Sequence, residues 1–135
     1  MYKKIMIAVD GSETAKKALQ EAQNIANNYN ADLCIVHCIK GEEEADRIEG
    51  NKILESAKAS VDALSVETRL LEADILYGLE SISTVIAAAA KEWGADLLVV
   101  GTANRRGLER FVIGSVAEQL VSKVGSSILL VRPES

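Results

Sequence analysis

Apolar positions along the chain switch repeatedly between two periods. Ile5–Val9 is a continuous apolar run, which predicts a parallel strand buried on both faces. Asp10, Gly11 and Ser12 make a turn, with Ser12 placed as the N-cap of a helix. Ala15, Ala18, Leu19, Ala22, Ile25, Ala26 and Tyr29 then recur at helical spacing, and Tyr29–Asn30 ends that helix. Leu33–Ile39 predicts a second buried strand, followed by a polar, acidic connection from Gly41 to Asp46. Ile53, Leu54, Ala57, Val61 and Leu64 mark one face of a second helix, and Val66–Leu71 a shorter, more polar third strand. Ile82, Val85, Ile86, Ala89 and Trp93 predict a third helix closed by Gly94. Asp96–Val100 is the fourth strand. Val116, Leu120, Val121 and Val124 mark a fourth helix, and Ser127–Arg132 is the last strand, before the only proline, Pro133.

Strands and helices in strict alternation predict an α/β fold: an open, five-stranded parallel sheet with right-handed crossovers and helices on both faces. The length, 135 residues, suits one domain over 1–135, and no repeat, low-complexity tract or linker interrupts it. In such sheets ligands bind beyond the strand C-termini, where the strand order reverses. That directs attention to Asp10, after the first strand, and Gly101, after the fourth.

Composition narrows the function. Hydrophobic residues make up 48% and the net charge is −5, from 20 acidic and 15 basic residues. A folded domain with that balance is a poor nucleic-acid binder, because phosphate backbones demand a broad basic face. Arg105, Arg106 and Arg110 still allow a local cationic pocket. No stretch reaches the roughly 18–20 apolar residues of a membrane span, and no signal-peptide pattern opens the chain, so a cytoplasmic location is predicted. Cys34 and Cys38 on one strand would lie about 13 Å apart, too far for a disulfide. They are expected to be small buried hydrophobes, and with His37 they lack metal-site spacing. His37 shares a face with Leu33 and Ile35 and is expected to be a satisfied core histidine, not a catalytic base.

The segment Gly101–Ser115 carries the chemistry. A glycine at a strand's end lets backbone N–H groups approach a ligand, and a Gly114–Ser115 pair opening a helix aims further donors and the positive dipole end at the same space. That suits phosphate. Each feature also has a local explanation. Gly101 could be a strand-end turn, Gly107 could ease the loop, and Ser115 with Glu118 has capping-box spacing. A loop of this length with three glycines and two adjacent arginines favours function.

The segment resembles the nucleotide-binding signature of the universal stress protein family: glycine, two residues, glycine, nine residues, then glycine with serine or threonine. Gly101, Gly114 and Ser115 fall on it, and Asn104 replaces the second glycine. The resemblance extends over the whole chain, through Lys4–Glu13, Ile35–Cys38, Gly114–Glu118 and Ile128–Arg132. It implies a Rossmann-like, adenine-nucleotide alpha-hydrolase-like fold of strand order 3-2-1-4-5. It also implies a site for ATP. Asp10 with the backbone at Ala8 and Val9 would meet the ribose and adenosine, and the main chain near Cys38 would pair with the adenine edge. Gly101, Asn104 and the backbone through Arg105 would wrap the phosphates, Gly114, Ser115 and Val116 would close on the terminal ones, and Val100 and Gly107 would belong to the same nucleotide site. Mg²⁺ would arrive with the triphosphate rather than on protein ligands. Asparagine tolerates a left-handed backbone best among non-glycine residues, so Asn104 is expected to weaken or redirect nucleotide binding rather than abolish it.

The same resemblance puts Ser127, Ile128, Leu129, Leu130, Val131 and Arg132 on a sheet edge. An exposed apolar edge needs covering, which predicts a homodimer through this strand, with a helix of the same chain as the alternative cover. The expected function is a non-catalytic, ATP-binding stress-response protein that presents a surface to a protein partner. A family member that uses no nucleotide and acts through protein contacts alone is the second reading, and a slow ATPase the third. Enzymes on related folds carry an S-G-G-x-D-S loop or HIGH-like and KMSKS-like motifs, and the chain has none of these; a Walker A loop is also absent from it.

Overall fold

The computed structural model describes residues 1–41, 43–63, 65–73, 78–102 and 115–133, without the side chains of 78–81 and 115. Five strands alternate with four helices: β1 (Lys4–Ala8), α1 (Glu13–Tyr29), β2 (Asp32–Lys40), α2 (Glu44–Ala59), β3 (Ser65–Ala73), α3 (Gly78–Trp93), β4 (Leu97–Gly101), α4 (Ser115–Lys123) and β5 (Ser127–Val131). The strands form one parallel sheet in the order β3-β2-β1-β4-β5. β1 is therefore central, with Ile5 opposite both Leu33 and Leu97.

Side chains alternate across the strands, so each face of the sheet builds its own core. Ile5, Ile7, Leu33, Ile35 and Val99 pack beneath α1 and α2, against Ala18, Leu19, Ala22 and Leu54. Met6, Cys34, Val36, Leu98 and Val100 pack beneath α3 and α4, against Ile86, Ala90, Trp93 and Leu120. Alanines on α1 keep that helix close to the sheet. Ser12 caps it by accepting from the Ala15 N–H at 3.1 Å, and Asn30 ends it in the left-handed region at φ 54°.

Several expected positions differ. Val121 is 54% exposed and Val124 lies beyond α4, though it still packs on the α3–α4 core. Tyr29 is 45% exposed, and its ring stands edge-to-face on Tyr2 instead of entering the core. α2 stops at Ala59, so Val61 packs from the following segment, and Leu64 lies outside the described residues. β3 is as long as β2, nine residues each, and not the shorter strand its polar sequence suggests. Its charges are absorbed at the edge. Glu67 accepts from the Trp93 indole N–H at 2.8 Å and from Arg69 at 3.2 Å, and Glu72 pairs with Arg47 of α2.

Candidate functional site

The sheet order reverses between β1 and β4, and a cavity of about 260 Å³ opens there, past the strand ends. Of the sequence-predicted positions, Ala8, Val9, Asp10, Cys38, Val100, Gly101 and Val116 all line it. Ile82 and Ile86 of α3 with Ala117 and Leu120 of α4 supply an apolar wall. Ser12, Ala15, His37 and Thr102 complete the lining. Helical periodicity marks the α3 and α4 positions only as core, so sequence reasoning misses them as lining. Asn104, Arg105, Gly107 and Gly114 lie outside the described residues, as does the side chain of Ser115, whose backbone begins α4.

Local hydrogen bonding shapes the rim. The Asp10 carboxylate accepts from the Ser12 N–H at 2.9 Å, which fixes the turn over Gly11, itself at φ 83°. Asp10 thus performs the turn-capping role open to it, and remains exposed at the cavity mouth. Gly101 is required by packing: a Cβ there would stand 2.8 Å from the Thr14 Cγ2 and 3.4 Å from its carbonyl group. The first turn of α1 presses directly on the end of β4. Val9 lies one residue past β1 and still donates its N–H to the Val36 carbonyl at 2.9 Å. Its own carbonyl accepts from the His37 Nδ1 at 2.7 Å. A carbonyl only accepts, so Nδ1 carries the proton. His37 is the satisfied, half-buried histidine its position predicts.

Cys38 lines the cavity and Cys34 is buried four residues earlier on the same face of β2; both are free. Burial pushes each thiol up to about 11, and for Cys34 the nearby Glu67 adds to the effect while Arg69 and Lys4 oppose it. Neither is a nucleophile at neutral pH. Among the described residues no group of His, Cys, Asp and Glu could hold a metal ion. The described lining offers main-chain groups, the Asp10 carboxylate, the Ser12 and Thr102 residues and apolar walls, which suits a planar, polar-edged ligand.

The universal stress protein family model matches residues 1–132. The chain belongs to the universal stress protein family. A universal stress protein of Methanocaldococcus jannaschii is 30% identical over 98% of this chain and 83% of its own length. A putative universal stress protein of Staphylococcus haemolyticus is 32% identical over 98% of this chain and 86% of its own. Among solved structures, a universal stress protein in complex with cAMP is 25% identical with a TM-score of 0.75, over 98% of both chains. The universal stress protein of Archaeoglobus fulgidus shares the fold at a TM-score of 0.79, over 97% of this chain and 99% of that one. The observed strand order is the one expected of a universal stress protein.

Proposed function

We propose that the cavity between β1 and β4 binds an adenine nucleotide and that the chain is a non-catalytic, homodimeric stress-response protein acting on a protein partner. The observation that carries this is the convergence of Asp10, Cys38, Val100, Gly101 and Val116, from four separate elements and turns, on one cavity at the switch point of the sheet. A universal stress protein 25% identical over 98% of the chain was solved with cAMP, which supports an adenine nucleotide as the ligand class. In this reading Asp10 holds the ribose and the main chain at Cys38 meets the base. Asn104, Arg105, Gly107, Gly114 and Ser115 gather the phosphates, and the α4 N-terminus adds its dipole. When bound, Mg²⁺ would come with the phosphates.

Calorimetric titration with AMP, cAMP and ATP, with and without Mg²⁺, tests the reading. Saturable binding of at least one is expected, with Gly114→Glu reducing it. No heat with any of them at millimolar concentration would refute nucleotide use and leave protein contacts as the mode of action. Steady phosphate release above the Gly114→Glu background would refute the non-catalytic role.

A further inference from the structure

We propose that His37 is a positioning residue for base recognition: by occupying the Val9 carbonyl it stops the β1–β2 ladder one bond early and leaves the Cys38 main chain unpaired in the cavity. This rests on reading the cavity as a nucleotide site. In a parallel ladder, an N–H donated by Val9 to the Val36 carbonyl is followed by an N–H from Cys38 to the Val9 carbonyl. The first bond is present at 2.9 Å. The second is replaced by the His37 Nδ1–H at 2.7 Å, and the paired register ends at Ala8 with Val36. Residues of β2 alternate in direction, so the N–H and C=O of Cys38 face the β1 side, where among the described residues neither has a ladder partner. Cys38 lines the cavity. The ring lies over Gly50 of α2, where a Cβ would stand 3.1 Å from its Cδ2, so the glycine leaves room for the imidazole in this position.

An exposed N–H beside an exposed C=O is a one-residue code. Adenine offers N1 as acceptor and its 6-amino group as donor, and so complements it. Hypoxanthine and guanine present N1–H and O6, the inverse at both positions, and would set donor against donor and acceptor against acceptor. The ligand class is therefore 6-amino purine nucleotides, selected by main chain that a side chain keeps open. Buried groups left unpaired by the wrong base supply the discrimination.

The test compares AMP with IMP and GMP on the wild type, His37→Phe and His37→Asn, alongside ¹⁵N spectroscopy of the unliganded protein. Asparagine places an N–H donor near the Nδ1 position and should rescue; phenylalanine cannot donate. The wild type should prefer AMP, and His37→Phe should lose about tenfold in AMP affinity with a matching loss of preference over IMP. His37→Asn should restore both. Without ligand, His37 should show the Nδ1–H tautomer. The Cys38 amide should exchange rapidly in the wild type, and about tenfold more slowly in His37→Phe as the ladder closes. An Nδ1-deprotonated ring, a protected Cys38 amide in the wild type, or an unchanged AMP/IMP ratio in a folded His37→Phe would overturn the proposal. Absence of any nucleotide binding by the wild type would instead overturn the nucleotide reading, and the tautomer and amide measurements would still decide what His37 does to the ladder.

Discussion

Gly50 is one of only two buried residues on α2, and its missing side chain lets the helix approach β2 and β3. A Cβ there would stand 2.7 Å from Leu70 Cδ1 and 3.0 Å from Ile39 Cγ2. Gly50→Ala gains up to about 1 kcal/mol in helix propensity but overpacks by about 1–3 kcal/mol. A net loss of about 1 kcal/mol in urea unfolding is expected, where an exposed helix site would have gained stability. The cysteines give a pH signature. Their thiols are pushed up to about 11 in the folded chain, against an ordinary 9.0, so the neutral form favours folding. Stability from this source is intact below about pH 9 and is lost as pH rises through 11. The urea midpoint of the wild type should therefore fall more steeply from pH 9 to 11 than that of a Cys34→Ala/Cys38→Ala variant. At this scale the sequence was only partly legible. Asp10 and Gly101 could be picked out from strand ends, but the pressure of Thr14 on Gly101 belongs to contacts between distant segments. So does the bond from His37 to Val9.

Among the elements, α1 has the most complete local signals. Ser12 accepts from the Ala15 N–H, Glu13 sits in the first turn, and Asn30 takes the left-handed position at the end. Ser12→Ala should lower stability by about 1 kcal/mol in denaturant titration, with helix content by circular dichroism retained. These signals make α1 readable in advance. α2 is weaker, since only Gly50 and Leu54 are buried, and its predicted face, which continued through Val61 to Leu64, ran past the true end at Ala59. β3 was under-read for an electrostatic reason. Glu67 and Arg69 fall inside the strand read from sequence, but Glu72 looks like the start of a loop until Arg47 of α2 is brought alongside to occupy its carboxylate, as the Trp93 indole N–H occupies that of Glu67. The Lys4 ammonium lies 4.5 Å from the Trp93 ring centroid, extending the same cluster to the central strand. α3 and α4 are joined by the Ser83 hydroxyl donating to Gln119 at 2.7 Å, a link invisible to periodicity.

For the whole molecule, the two edges of the sheet differ in character. β3 carries charges along its edge, whereas β5 is Ser127 followed by Ile128, Leu129, Leu130 and Val131. The Val131 carbonyl accepts from Thr102, so Val131, Leu129 and Ser127 turn their main chain toward β4 and Ile128 and Leu130 turn theirs outward. The proposed dimer would use those outward groups. Leu130→Pro deletes an outward N–H and no ladder bond, so sedimentation should shift from twice the 14.5 kDa chain mass to a monomer that remains folded. Architecture was legible because alternating periods and the absence of repeats leave few ways to wind a parallel sheet; the cavity walls from α3 and α4 were not, because a residue lining a crevice and one filling a core share the same spacing. The strand order also sets a timetable. β1 is made first yet sits in the centre, and Lys4 meets Asp96 across 92 residues of chain. During synthesis β1 can gain β2 early, but its other side stays bare until β4 leaves the ribosome. For most of its translation the chain thus exposes an unpaired hydrophobic strand edge, the surface that general chaperones hold and that misassembly exploits.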